Sequence, residues 1–309
     1  MPARLDATRR CAAAAIALVL ALAAAGCGLG PGDRLEQVEL NVTRDYGAGE
    51  LLDLEIDDVA ESDTVMRVLE RSAEISTRYG GGFVQSIDGL EAERRDGRYW
   101  DWLYYVNGVE ASVGAANYEL DGGEEIWWDY RDWTDAQGVP TVVGSWPHPF
   151  VDGYDGRQLP VAVECMAGGS ACDEVRARLE RVGATVASGE PEGAIRVLVG
   201  PWDRVRLDPV AALIEDGMQA SGVFAELDRA GGGFQLRGLD QEGEKARRFG
   251  PDAGLVAATR RYAAPPVWVV TGTSAAGVRA ASRLLDEEGL RDHYAVAVEG
   301  GKETPLPVR

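Results

Sequence analysis

Histidine and lysine are scarce in this chain: among 309 residues there are only His148 and His293, and only Lys245 and Lys302. Two separated histidines exclude a histidine-rich metal centre, and the sequence contains no GxSxG, HExxH, GxGxxG or Walker motif. The sequence therefore predicts no metal site and a protein that is not an enzyme. A hydrolase that uses two of the many carboxylates, about 5–10 Å apart in a deep cleft, stays open as an alternative.

Positive charge is also in deficit, because 51 Asp and Glu outnumber 31 Lys and Arg and give a net charge of −20. Residues 31–135 alone hold 26 acidic residues and 9 arginines. Such a chain repels nucleic acid and anionic lipid headgroups, so we expect neither as a direct partner. The ordinary interpretation of the acidic excess is solubility, and the functional one is a cationic partner.

Long apolar runs are confined to residues 11–25, which follow three arginines. The run is too short to span a bilayer as a helix of the mature protein and predicts a signal peptide over residues 1–27. Ala24-Ala25-Gly26-Cys27 resembles a bacterial lipobox, which implies a lipid on Cys27 and an extracytoplasmic protein anchored at the membrane surface. Cleavage followed by simple secretion is the alternative.

The chain has four cysteines, of which Cys11 and Cys27 belong to the predicted leader. Cys165 and Cys172 remain, separated by the flexible sequence MAGGSA. Outside the cytoplasm a disulfide bond between them is favoured. Two free thiols or a metal-binding pair are the alternatives, and a metal would need further ligands.

Composition and periodicity divide the chain after the leader into a tether over residues 28–37, a first domain over 38–131, a linker over 132–160 and a second domain over 161–309. In the first domain, alternating apolar residues predict strands, Ser62 or Asp63 caps one helix, and Asn107-Gly108 forms a hairpin turn. One helix across a mixed sheet is an α+β arrangement similar to a β-grasp.

The second domain alternates short apolar strands with amphipathic helices. Helices are predicted from Asp208 and after Ser274, each with a side chain that can cap the first turn. The alternation predicts an α/β sandwich with a partly parallel sheet.

Several motifs of the first domain occur together, namely GFVQSIDG from Gly82, WLYYVNG from Trp102 and YELDGGEEI from Tyr118. In this combination residues 38–131 resemble the transcobalamin-like C-terminal domain family, which includes the small domain of animal cobalamin carriers and many bacterial surface proteins. The resemblance implies a β-grasp-like fold and a corrinoid ligand. In those carriers a larger helical domain holds the other face of the corrinoid, and no such domain is predicted here.

Aromatic residues are concentrated in the same part of the chain, where six of the eight tryptophans lie between positions 100 and 146. Strand alternation directs Trp102, Ile126 and Trp128 toward the helix and into the core. One helix covers only one face, so the opposite face is either a ligand site or the seat of the second domain. The candidate ligand-binding residues are Tyr105, Trp127, Trp133 and Trp146.

These observations predict an exported surface lipoprotein that binds a small ligand, cobalamin or another corrinoid, and delivers it to a membrane importer. No cofactor is required for this role. The alternative is an interaction module of the cell envelope that binds a protein or a polysaccharide and no small molecule.

Overall fold

The computed structural model describes residues 32–309, so the predicted signal peptide and the lipid site at Cys27 lie outside the described residues. An N-terminal region (residues 32–132) and a C-terminal region (161–309) are joined by a connecting segment (133–160). The predicted α+β fold class is confirmed, because each region combines a mixed sheet with a few helices. No helix in the described part is long and apolar enough to cross a membrane.

The N-terminal region places one helix on one face of a mixed sheet. Its elements are β1 (Val38–Arg44), β2 (Gly49–Ile56), α1 (Val65–Ser72), β3 (Ile75–Arg78), β4 (Phe83–Ile87), β5 (Leu90–Glu91), β6 (Glu93–Arg95), β7 (Arg98–Val106), β8 (Val109–Glu110) and β9 (Glu125–Asp132). The main sheet has the order β2-β1-β9-β7-β6, with β8 paired to β7. Only β1 and β9 pair in parallel. Strands β3 to β5 form a separate small sheet.

The helix α1 begins after Thr64 and not after Ser62 or Asp63 as predicted. The Thr64 hydroxyl accepts a hydrogen bond from the backbone N–H of Arg67, which satisfies a free donor of the first turn. Asp63 instead accepts two hydrogen bonds of 2.7 and 2.8 Å from the guanidinium of Arg71. The carboxylate therefore ties the start of the helix to its last turn.

The length of α1 leaves part of the sheet uncovered. The helix has eight residues and ends at Ser72, while Ile75 lies in β3. At about 1.5 Å per residue the helix is about 12 Å long. The nine-residue strand β7 extends for about 30 Å. Something other than α1 must therefore border the rest of this face.

The C-terminal region is built around a six-stranded sheet. Its elements, with those of the connecting segment, are α2 (His148–Val151), β10 (Val161–Cys165), α3 (Ser170–Arg181), β11 (Ile195–Pro201), α4 (Trp202–Val205), α5 (Met218–Ser221), β12 (Ala225–Ala230), β13 (Gly233–Leu239), β14 (Lys245–Arg248), β15 (Gly254–Thr259), β16 (Val267–Gly272), α6 (Ala275–Ser282), α7 (Glu287–Leu290), β17 (Ala295–Glu299) and β18 (Lys302–Leu306). The order is β10-β11-β16-β15-β17-β18, in which the first three strands are parallel. Strands β12 to β14 form a small antiparallel sheet.

Two helix predictions for this region have different outcomes. The helix after Ser274 is present, and the serine hydroxyl accepts from two backbone N–H groups of its first turn. The prediction of a continuous helix from Asp208 is wrong. The chain forms a 3-10 turn at Ala211–Ile214 and then α5, separated by Gly217 with φ of 92°. A glycine in this conformation ends helical geometry.

The connecting segment is packed between the two regions. Val139, Val142 and Val143 are fully buried, although the composition predicted a linker over residues 132–160. Val142 donates a backbone hydrogen bond of 2.9 Å to Gly108 in the β7–β8 turn. The segment therefore contributes to the core and holds the two regions together.

Candidate functional site

The face of the main N-terminal sheet opposite α1 is covered. Tyr105 and Trp127 are 0% exposed, so neither side chain is accessible to a ligand, and of the two alternatives predicted for this face the structure shows contact with the second domain. The ring of Trp127 lies 5.5 Å from that of Tyr294, which precedes β17 in the C-terminal region. The C-terminal region and the connecting segment pack on this face. Alternation of residues along a strand cannot distinguish a face that contacts another domain from a face that binds a ligand.

A polar network lies buried at the same contact. The Asp129 carboxylate accepts hydrogen bonds from the Thr43 hydroxyl at 2.7 Å, the Tyr294 hydroxyl at 2.9 Å and the Tyr46 backbone N–H at 3.0 Å. Burial raises the pKa of Asp129, and these donors oppose that effect. The buried guanidinium of Arg131 lies 5.4 Å from the Tyr46 ring centroid. The network joins the two regions, and Trp127 is fully buried within this contact.

The other two predicted residues are placed differently from each other. Trp146 is buried in the C-terminal core, 5.2 Å from Phe150 and 6.1 Å from Trp268 between ring centroids. Trp133 is half-buried at the surface, where its ring lies 5.9 Å from that of Tyr99. Of the four residues proposed to bind a ligand, only Trp133 keeps accessible surface.

The predicted disulfide bond is present. Cys165 at the end of β10 is bonded to Cys172 in the first turn of α3, with their Cα atoms 5.8 Å apart. Disulfide bonds persist mainly outside the cytoplasm. The bond thus agrees with an extracytoplasmic protein.

An accessible groove lies on the α1 side of the main sheet, between Met66 of α1, the strands β4, β7 and β9, and the segment that follows β8. Its volume is about 390 Å³, within the range of small-molecule sites. The rings of Tyr104 and Trp128 stack in its floor, with centroids 4.8 Å apart and an interplanar angle of 27°. We name it the aromatic groove, and its principal lining residues are Met66, Phe83, Trp102, Tyr104, Val113 and Trp128.

The mouth of the aromatic groove is formed by exposed apolar side chains. Phe83 is 62% exposed and Tyr79 is 85% exposed, and their rings meet edge to face at 5.9 Å. Tyr79 has φ of 54° and Gly80 has φ of 74°, so the chain reverses sharply before β4. Gly114 and Gly82, which both line the groove, approach each other closely, because a Cβ on Gly114 would lie 3.4 Å from the carbonyl oxygen of Gly82.

Most polar atoms of the floor are satisfied within the protein. The Tyr104 hydroxyl donates to the Val113 carbonyl, and burial raises the pKa of Tyr104, so the group stays neutral. The Trp102 indole N–H donates to the Leu90 carbonyl at 3.1 Å. The buried indole N–H of Trp128 has no acceptor among residues 32–309. An unsatisfied buried donor costs about 1–3 kcal/mol, but this atom lies too deep in the protein for a ligand in the groove to contact it.

Trp102 and Trp128 lie in the core, as predicted from the sequence, but the groove beside them was not predicted. The signal was the run Tyr79-Gly80-Gly81-Gly82-Phe83, where two aromatic residues flank a segment too flexible to continue a helix. Among residues 32–309, no three His, Cys, Asp or Glu side chains are arranged to hold a metal ion. Its lining residues make the groove a mainly apolar, aromatic site.

One family profile and two solved structures are similar to part of the chain. The profile of the family "Domain of unknown function (DUF4430)" matches residues 62–132, which include the aromatic groove. A candidate metal-binding protein from Ruminococcus gnavus ATCC 29149 is 17% identical over 31% of this chain and 97% of that chain, with a TM-score of 0.26. Haptocorrin in complex with Cbi is 20% identical over 31% of this chain and 25% of that chain, with a TM-score of 0.25. No curated protein matches the chain.

Proposed function

We propose that this protein is an extracytoplasmic binding protein, and not an enzyme, that holds a small, flat and mainly apolar ligand in the aromatic groove. The observation that carries the proposal is the exposure of Phe83, 62%, beside a floor of stacked rings. Large apolar side chains are normally buried, and a concave cluster of exposed ones is typical of a binding site. A ligand covering Phe83 would remove an unfavourable contact with water.

The energetic contribution of Phe83 can be worked out from its exposure. A phenylalanine presents roughly 150–200 Å² when free, so an exposure of 62% leaves roughly 100 Å² for a ligand to cover. At about 25 cal/mol per Å², covering this area contributes about 2 kcal/mol to binding. Loss of the ring should therefore weaken a ligand by about ten- to thirty-fold.

The ligand we propose is a corrinoid. This assignment rests on the resemblance of residues 38–131 to the transcobalamin-like family. A corrinoid is flat and wider than the groove, so it would contact the aromatic rings with one part of a face. Delivery from a lipid anchor at Cys27 to a membrane importer completes the proposal.

The test is a titration of the purified mature protein with cobinamide and with cobalamin, followed by tryptophan fluorescence. We expect saturable quenching at micromolar ligand. Phe83→Ala should weaken binding about ten-fold or more with an unchanged melting temperature, since the side chain is exposed. Tyr262→Ala is the matched control, because this aromatic residue is 91% exposed in the C-terminal region.

Two results would count against the proposal, and they can be told apart. Absence of a saturable change with both corrinoids removes the assigned ligand. Saturable binding with equal affinity in the wild type and in Phe83→Ala would mean that the ligand binds outside the aromatic groove.

A further inference from the structure

The two edges of the main N-terminal sheet are very different. At one edge, β6 has three residues, while at the other β2 has eight. Within residues 32–309, no strand pairs with the outer side of β2. Eight residues present about 26 Å of backbone N–H and C=O groups that another strand can bind. Proteins usually keep edge strands short to prevent such pairing, as at β6.

Apolar side chains accompany this free backbone. Leu51 is 46% exposed and Leu54 is 37% exposed, while Leu52 and Ile56 pack against the N-terminal core. Leu51 lies at a register shift in the pairing of β1 with β2 and has no partner in β1. An added strand would cover the two exposed leucines, which solvent now contacts.

The charge of the edge is of one sign. The acidic residues of β2 and the turn after it are Glu50, Asp53, Glu55, Asp57 and Asp58. Asp53 forms an ion pair with Arg291 at 2.7 Å and Asp58 one with Arg34 at 2.8 Å. The other three have no ion pair within the described residues. Pairing of β2 with β2 of a second copy would set like charges opposite one another, which is unfavourable. A basic strand would meet complementary charge.

We propose that β2 is a docking edge for an extended cationic segment of a partner protein, which joins the sheet as an additional strand. Backbone hydrogen bonds supply affinity in this mode of recognition, and alternate side chains supply specificity. Apolar residues of the segment cover Leu51 and Leu54, and basic residues face Glu50 and Glu55. The aromatic groove is formed by other strands, so this interaction does not depend on the proposed function.

The experiment uses the full mature chain and fluorescently labelled eight-residue peptides, with binding followed by anisotropy. A peptide of alternating Lys and Val should bind saturably at micromolar concentration. The same peptide with alternate backbone nitrogens methylated keeps its charge but loses strand donors, and should bind about thirty-fold more weakly. A peptide of alternating Glu and Val should not bind. Equal binding of the methylated peptide or of the acidic peptide overturns the proposal.

A pair of variants locates the binding edge. Leu54→Lys places a positive charge on β2, where edge lysines are well tolerated, and should weaken the cationic peptide about ten-fold. Leu207→Lys is the control, because Leu207 is a 68% exposed leucine in the C-terminal region, and it should leave binding unchanged. Circular dichroism checks that both variants fold. Equal affinity of Leu54→Lys and wild type overturns the proposal. The proposal is also overturned if the wild type forms a dimer without peptide and the Leu54→Lys variant is a monomer.

Discussion

Replacing Glu125 by glutamine should flatten the pH dependence of folding stability between about pH 5 and pH 7. Glu125 begins β9, and 6% of it is exposed. Burial raises the pKa of its carboxyl group from 4.5 to about 7, and the nearby carboxylates of Glu39 and Asp292 act in the same direction. The positive charge of His148 lowers this pKa and has a larger effect than either carboxylate, but a smaller effect than burial.

The sign of the effect follows from proton linkage. The folded protein keeps a proton on Glu125 at pH values at which the unfolded chain has released it. The contribution to stability is therefore fully present below about pH 4.5 and is lost as the pH rises through about 7. The difference between 4.5 and about 7 corresponds to about 3 kcal/mol of unfolding free energy. Glutamine has no proton to lose, so its variant should lack this contribution to the decline and keep the one from Glu124, whose pKa burial likewise raises to about 7.

The assay is urea unfolding of wild type and variant at about pH 5, 6 and 7, with the free energy of unfolding taken at each pH. The slope of the variant should be less steep by up to about 1.4 kcal/mol per pH unit. Glu303→Gln, a change at an exposed carboxylate of β18, should retain the wild-type slope. Equal slopes for Glu125→Gln and wild type would refute the reasoning.

The histidine near Glu125 titrates mostly outside this window. Burial alone would lower the pKa of His148, but its hydrogen bond to Asp152 and its ion pair with Glu39, at 3.7 Å, outweigh burial and raise the pKa to about 10. A raised pKa of a cationic group contributes stability that is fully present below 6.5 and is lost as the pH rises to about 10. Most of this loss lies above pH 7, where Glu125 no longer contributes.

Three further predictions concern stability. Trp127→Ala should cost about 3–5 kcal/mol in urea unfolding, because the indole is fully buried between the two regions, whereas Tyr262→Ala should change stability by less than about 0.5 kcal/mol. Replacing Cys165 and Cys172 by alanine should cost about 2–3 kcal/mol, and a reductant should destabilise the wild type but not this double variant. Gly47→Ala should cost at least about 2 kcal/mol, measured as a lower melting temperature, because its φ is 80° and its Cβ would lie 1.8 Å from a backbone oxygen of the C-terminal region.

Local patterns in the sequence predict much of this fold. Alternation of apolar residues gives the faces of β1, β7 and β9, and Asn107-Gly108 adopts the positive φ angles, 50° and 71°, that its hairpin turn requires. The cap at Ser274 is also local, since the serine bonds to its own helix. Features decided by a few neighbouring residues can be predicted because their competing conformations differ by local energies alone.

The candidate site could not be predicted in the same way, because it depends on which surfaces meet. Strand alternation places Tyr105 and Trp127 on the face opposite α1. They are buried because the C-terminal region and the connecting segment pack on that face. The aromatic groove arises from the shortness of α1 and the reversal at Tyr79, which determine how much of the sheet stays open. Both depend on contacts between residues far apart in sequence, such as Tyr294 with Asp129.

Hydroxyl-radical footprinting of the mature protein, with and without saturating cobinamide, directly tests whether the ligand binds in the aromatic groove. We expect that oxidation of Phe83 and Val113, which line the aromatic groove, and of Tyr79, whose ring contacts Phe83, decreases when the ligand is bound. Tyr262 should be oxidised equally in both samples. Unchanged oxidation at the groove, or protection confined to Tyr99 and Trp133, would contradict the assignment of this groove as the binding site.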